Sequence, residues 1–395
     1  MKAVVFIKTN KSGLSRDVIK ACDRLNYYTI LITDNKKQIN QLDEYHDVHQ
    51  MLYLEDLSLD KLKKYIKQNI KPHFEIVSIL SFVDGYVTLA SRLRDKFTFN
   101  PRNTNALEIM ESKLRTREVF KDYDFSPIYI KAKMNKSDAF LLNYPFIIKK
   151  SSSSASRDVK KVDTVEDIPE SFYNSDDVLV EEYVDGEQYL FEVFVENGNP
   201  VYIVKFHQDN IYTKNNSFII LGYSLNKDDY ITSNEEKIII DITKKLEVQN
   251  GELHIEMRKN GDIYKLIEIN PRTTGTGMND IMKVASGIDY AEQILKFYLK
   301  EDFELPKVKE NVYTHFLISE KEGESLRVTG KIKALNSPGV EVVFIKRRKG
   351  NYIRKPRHMG DRNGYIIATG ETVEDAKKAA LDAAKKITFH LREDE

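Results

Sequence analysis

The chain has 395 residues, 41% of them hydrophobic and 31% charged, a composition that suits a soluble globular protein and argues against wholesale disorder. Lys+Arg and Asp+Glu both number 61, so the net charge is zero and a general nucleic-acid or membrane-surface binder is disfavoured. No run approaches the roughly eighteen apolar residues of a spanning helix, and the single cysteine, Cys22, excludes an intrachain disulfide and a cysteine-based metal site.

At this length several domains are expected. The N-terminal "KAVVFIK" (2–8) reads as a buried strand rather than a signal peptide, and with the lone cysteine this implies a cytoplasmic protein. "SRDVIKACDRLNY" (15–27) spaces Val18, Ile19, Cys22 and Leu25 as a helix does; "YTILIT" (28–33) and "FEIVSIL" (74–80) are further strands, with a helix at 58–69. Strands alternating with helices predict a parallel sheet covered on both faces. The G-x-G-x-x-G dinucleotide fingerprint is missing. Ligands gather at the carboxyl ends of such strands, so Phe82 and Asp84 in "SFVDGY" are candidates to line a cleft, against a plain turn.

From about 104 the pattern changes. "NALEIMESKLRTREVFKDY" (105–123) predicts one long helix. "YPFIIKKSSSSASRDVKKV" (144–162) reads as strand, serine-rich loop, strand. Residues 177–206 predict strands and a hairpin turning at Asn197-Gly198, and 233–249 a helix. A second hairpin, "LHIEMRKNGDIYKLIEINPRTTGTG" (253–277), turns at Asn260-Gly261, and a helix follows at 289–301. The tail from about 303 predicts strands at 312–318, 340–346 and 364–368 and a helix over 372–391; the basic run at 345–358 reads as a hairpin about Gly350-Asn351, or as a lid over an anionic ligand.

Acids inside apolar, β-prone runs are expensive unless something binds them. Glu268 and Asn270 share a strand face, and a register symmetric about Asn260-Gly261 would let Glu256 join them. Two carboxylates and an amide oxygen are hard ligands that suit Mg²⁺, with phosphate oxygens completing its shell; a charged solvent-facing hairpin fits the same residues. Lys149 ends an apolar strand beside the serine loop, a place for phosphate, although a surface lysine is the commoner outcome there and at Lys113. In "VLVEEYVDGEQ" (178–188) a strand ends at Glu181-Glu182 and could present a carboxylate and backbone groups to a purine edge.

The order Lys113, Lys149 with its loop, "VEEYVDGE" and "HIEM…EINPR" resembles the ATP-grasp superfamily of carboxylate–amine ligases, and among them the L-amino acid ligases that form dipeptides. "RNGYIIATGETVEDAKKAA" looks like the closing unit of such ligases. The resemblance implies an α/β (α+β) ATP-grasp fold: an N-terminal Rossmann-like parallel-sheet domain (1–104), a small lid subdomain (105–182), a large catalytic subdomain (183–302) and a C-terminal α+β unit (303–395). It implies ATP and Mg²⁺, with Mn²⁺ as an alternative ion, small-molecule amino acid substrates, no nucleic acid or membrane partner, and homodimers as relatives often form. Lys113 and Lys149 would contact ATP phosphates under the loop carrying Ser153, Ser154 and Ser156. Glu181 would meet the adenine amino group, Glu182 and Val184 the purine edge, and Glu187 the ribose. Glu256, Glu268 and Asn270 would hold the metal, and Arg272 would contact the acyl phosphate and tetrahedral intermediate. His254, Gly275, Phe82 and Asp84 are substrate candidates, although a half-buried structural histidine is the commoner outcome at a position like His254. Three features depart from the family pattern: "SSSSAS" replaces a glycine-rich loop, "GEQ" replaces "GEE", and His254 stands where some relatives have Arg. A purine- or cofactor-pathway ligase and an ATP-binding sensor are the competing functions; the first needs a ribose-phosphate pocket and the second has no use for Arg272.

Overall fold

The computed structural model describes residues 1–97, 103–132, 143–150, 159–173, 175, 177–212, 219–275, 277–346 and 349–392. The N-terminal strands pair in parallel, in the spatial order Gln50–Tyr53, Tyr28–Thr33, Lys2–Ile7, Glu75–Leu80. Three of them follow the unbroken apolar runs. Gln50–Tyr53 is only half buried along its length, and sequence reasoning missed the short apolar run Met51–Leu54 that marks it. The helix Leu14–Arg24 turns Leu14, Val18, Ile19 and Cys22 inward, as its spacing requires.

An antiparallel sheet of eight strands forms the body of the protein. Its order is Ile263–Asn270, Gly251–Asn260, Glu187–Glu196, Asn199–Tyr212, Ile219–Leu225, Asn311–Leu317, Gly364–Gly370 and Val340–Ile345. Three strands of the tail therefore continue the sheet that carries the acidic hairpin. Asn197 and Gly198 both have positive φ, 50° and 80°, as a tight two-residue hairpin turn demands. A separate four-stranded antiparallel sheet holds Tyr129–Ala132, Val178–Glu182, Phe146–Lys150 and Val159–Val162. The mixed architecture, a parallel sheet followed by antiparallel ones, is the predicted α/β (α+β) class.

Three local expectations are corrected. The stretch 105–123 is two short helices, Thr104–Met110 and Lys113–Phe120. Glu111 closes the first, Ser112 caps the second by accepting from the Arg115 N–H, and the Thr116 hydroxyl ties across the break to the Ile109 carbonyl. This break makes Lys113 the first residue of a helix. The final helix stops at Ala384, and Thr388–Arg392 becomes a strand against Gly323–Thr329, where β-branched and aromatic residues succeed an alanine-rich run. The basic stretch is no hairpin: Val340–Ile345 pairs with Gly364–Gly370, whereas Tyr352–Ile353 pairs with Gly323–Thr329. Among the described residues no helix is long and apolar enough to cross a membrane.

The helix Ser233–Lys245 packs its isoleucines under the hairpin and starts with a capping box. Thr232 Oγ1 accepts from the Glu235 N–H (3.3 Å) and Glu235 Oε2 accepts from the Thr232 N–H (2.8 Å). Thr232→Ala is expected to cost about 1 kcal/mol, measured as a lower urea midpoint; an unchanged midpoint would show that the cap adds nothing.

Candidate active site

The acidic hairpin has a register that slips once. Pairing is symmetric about the turn from Asn260–Ile263 to Met257–Leu266; then Ile267 is left without a partner, and Glu256 stands opposite Glu268 and His254 opposite Asn270. Strict symmetry would have placed Glu256 opposite Ile267 and turned Glu268 to the other face. The bulge at Ile267 thus brings both carboxylates and Asn270 to one face. Its flanks are anchored: the Ile267 carbonyl accepts from Arg117 Nη2 (2.7 Å), and the Leu266 N–H donates to the Phe125 carbonyl (2.7 Å).

Arg117 also donates to both oxygens of Glu181, at 2.7 and 3.2 Å, and Lys149 Nζ lies 2.7 Å from Glu181 Oε2. All three side chains are buried. Burial would push the Glu181 carboxyl up, but Arg117 and Lys149 hold it below the usual carboxylate range. Burial pushes Lys149 down, to about 8, against the pull of Glu181. Lys113 Nζ reaches Glu268 Oε1 at 3.0 Å. Despite burial, Lys113, with Lys149 and His254 nearby, keeps the Glu268 carboxyl below its ordinary value.

His254 is buried between two acids, Nδ1 2.7 Å from Glu192 Oε1 and Nε2 3.1 Å from Glu256 Oε1. Burial alone would lower its pKa; Glu192 and Glu256 outweigh burial and raise it to about 10. Held protonated, the ring donates to both carboxylates and fixes Glu256. Glu192 Oε1 also accepts from the Thr274 N–H (3.2 Å), so this acid positions the small-residue loop as well. The other oxygen of Glu256 accepts from Gln188 Nε2 (2.8 Å).

Beside these groups opens one cleft of about 550 Å³. Lys113, Lys149, Glu181, Glu182, Val184, His254, Glu256, Glu268, Asn270, Arg272 and Gly275 all contribute to its wall, together with Phe82 and Asp84 from the N-terminal unit. Arg272 Nε and Nη2 both lie on Asp84 Oδ1 (2.6 and 2.5 Å), and its Nη1 donates to the Thr273 carbonyl (3.0 Å). Arg258 Nη1 donates to the Val184 carbonyl (2.8 Å). Phe82 is nearly buried, edge-on to Tyr298.

Two expectations do not meet the others here. Glu187 turns away from the cleft, largely exposed and bonded to the Tyr189 hydroxyl (2.9 Å); Gln188, the next residue on an alternating strand, enters it instead. Ser153, Ser154 and Ser156 lie outside the described residues. Sequence reasoning missed Arg117, Gln188, Glu192, Tyr223 and Arg362. Glu192 could have been found by the signal that marked Glu256 and Glu268, an acid inside the apolar run "YLFEVFV". Arg117 gives no such sign on a helix rich in charges.

Residues 163–280 match the ATP-grasp domain family and residues 315–392 match L-amino acid ligase C-terminal domain 2. An uncharacterized protein of Sinorhizobium fredii, y4rH, is 20% identical over 405 residues, covering 99% of this chain and 83% of that one. The L-amino acid ligase of Bacillus licheniformis superposes with a TM-score of 0.81 at 16% identity over 99% of both chains. The phosphoribosylglycinamide synthetase of Anaerococcus prevotii does so with 0.75 at 16% identity, over 99% of this chain and 100% of that one. At such identities the superpositions establish the ATP-grasp fold.

The Arg117–Glu181–Lys149 cluster generates a stability test. Arg117→Leu leaves Glu181 with Lys149 alone and releases the Ile267 carbonyl, and is expected to cost about 3–5 kcal/mol. Urea denaturation reads this directly, and a loss below about 1 kcal/mol would show that the cluster does not hold the two sheets together.

Proposed function

We infer that this member of the ATP-grasp superfamily is a carboxylate–amine ligase of the L-amino acid ligase type: it activates one amino acid carboxylate with ATP and joins it to the amine of a second, yielding a dipeptide, ADP and phosphate. The observation that carries this reading is Arg272. It leaves the strand that bears Glu268 and Asn270 and lines the same cleft as Lys113, Lys149 and the acid pair. A protein that only bound nucleotide would have no use for a guanidinium there. The match of residues 315–392 to an L-amino acid ligase domain supports the substrate class.

Lys113 and Lys149 would bind phosphate oxygens, and the strand end at Glu182–Val184 would receive the adenine. The Val184 carbonyl is already taken by Arg258, which leaves its N–H as the group offered to the base. The donor set suits a hard divalent cation: Glu256 and Glu268 face each other across a rigid strand pair, with Asn270 beside them. No cluster of three or more acidic, His or Cys side chains stands ready for a metal among the described residues. Mg²⁺ there would neutralise phosphate charge.

In the reaction, a substrate carboxylate oxygen attacks the γ-phosphorus, the bond to the β-phosphate oxygen breaks, and ADP leaves. The amine nitrogen then attacks the acyl carbon, phosphate departs, and the nitrogen loses a proton. Positioning and charge stabilisation do the catalysis. Arg272, fixed by Asp84, would donate in two-point fashion to the developing oxyanion.

Phosphate release and product mass spectrometry with ATP, Mg²⁺ and pairs of amino acids test the reading; no ADP with any pair would refute it. Arg272→Ala is expected to lower kcat by about 10²–10³ while nucleotide affinity stays near that of the wild type. Nucleotide binding should also weaken as pH rises through about 8, because Lys149 carries its charge only below that value. Affinity that stays flat from pH 7 to 9 would remove Lys149 from the phosphate site.

A further inference from the structure

Arg362 is a buried cation that neither the phosphate lysines nor the acid pair explains. It lines the cleft and is 6% exposed. Its guanidinium lies 3.9 Å from the Phe316 ring centroid, its Nε donates to the Met359 carbonyl (3.2 Å), and its Nη1 reaches the Ile220 carbonyl (3.4 Å). The Tyr223 hydroxyl is its remaining side-chain partner. All these partners are neutral, and among the described residues no carboxylate forms an ion pair with Arg362.

Several other buried cations of this protein are neutralised by carboxylates. Arg117 and Lys149 share Glu181, Lys205 has Glu235 and Asp229, and Arg16 has Asp47. A guanidinium taken out of water without a counter-ion is costly, and burial depresses the Arg362 pKa accordingly. Such a group in a cleft wall is built for an anion that arrives with a ligand.

Strand register says which end of the cleft this is. Arg258 pairs with Gln188, Gln188 with Gln208, and Gln208 with Tyr223, so these side chains form one row on the sheet face that also carries Glu256. Three strand spacings separate Tyr223 from the strand of Glu256, roughly 14 Å. Arg362, beside Tyr223, therefore stands on the side of the cleft formed by the strand Ile219–Leu225 rather than on the acidic hairpin. Ile211, Ile220 and Met359 supply apolar wall around it, and Gln208 Oε1 is a buried acceptor without a partner.

We propose that Arg362, with Tyr223 beside it, binds the α-carboxylate of the amino acid that donates the amine. The planar fork suits a carboxylate, and the apolar wall suits a neutral side chain. The assignment rests on the ligase reading for the ligand's role, though not for its charge.

The test is calorimetric titration of the full chain, loaded with a non-hydrolysable ATP analogue and Mg²⁺, with neutral amino acids and with their α-amides. The wild type should bind the acids more tightly than the amides. Arg362→Met should weaken acid binding by roughly 30-fold or more and leave amide binding unchanged; Arg362→Lys, which keeps the charge and most of the volume, should retain part of the preference. Acid and amide bound alike by the wild type, no binding of either, or a preference that survives in folded Arg362→Met would overturn the assignment. Hydroxamate formation by the wild type from amino acid, ATP and hydroxylamine tests the ligase reading separately. Hydroxamate without an acid preference sinks only the Arg362 site, and a preference without hydroxamate sinks the ligase reading while the carboxylate site stands.

Discussion

The single unpaired residue Ile267 governs the site. A strand alternates faces, so one extra residue decides whether Glu256 and Glu268 share a face or oppose each other through the sheet. Arg117 makes that slip a fixed feature: the guanidinium that holds the Ile267 carbonyl also grips Glu181 on the neighbouring sheet, and Glu181 in turn holds Lys149. The geometry of the acid pair, Lys149 and the junction of the two sheets therefore share one buried cation.

The charges around this centre are arranged in alternation. Lys113 stands on Glu268, the His254 ring on Glu256 and Glu192, and Lys149 and Arg117 on Glu181. Each of these carboxylates touches a cation, and each of these cations is tolerable in the interior because it touches a carboxylate. An anionic ligand with its own cation can enter such a lattice by exchanging partners rather than by creating unpaired charge.

Much of the fold could be read from the chain because apolar runs, alternation and turn pairs are local signals. The parallel strands at 2–8, 28–33 and 74–80 and the turn at Asn197-Gly198 are of this kind, while the second hairpin turns one residue later than expected, at Gly261-Asp262 with Asn260 paired to Ile263. The missed strand Gln50–Tyr53 is short and only half buried, its apolar run being the four residues Met51–Leu54, and the break at Ser112 depends on one capping side chain within a helical pattern. At the site, acids in apolar runs were legible because burial makes them conspicuous. Arg117 and Arg362 were not: basic residues in charged stretches look solvated until tertiary packing closes over them. The bulge was invisible for a different reason. Both registers satisfy the turn, and only contacts with Arg117 and Phe125, far away in sequence, favour one.

The eight-stranded sheet runs without interruption from the acidic hairpin into the strands of the tail. Every step along it is set by backbone hydrogen bonds at roughly 4.8 Å, whatever side chains it carries. The sheet is thereby a ruler: the span between Glu256 and Glu268 and the wall formed by Tyr223 and Arg362 is counted in strands. Side-chain changes in the cleft can alter which groups a ligand meets along that span, but its length is a property of topology, and drift in the sequence of this chain would leave it unchanged.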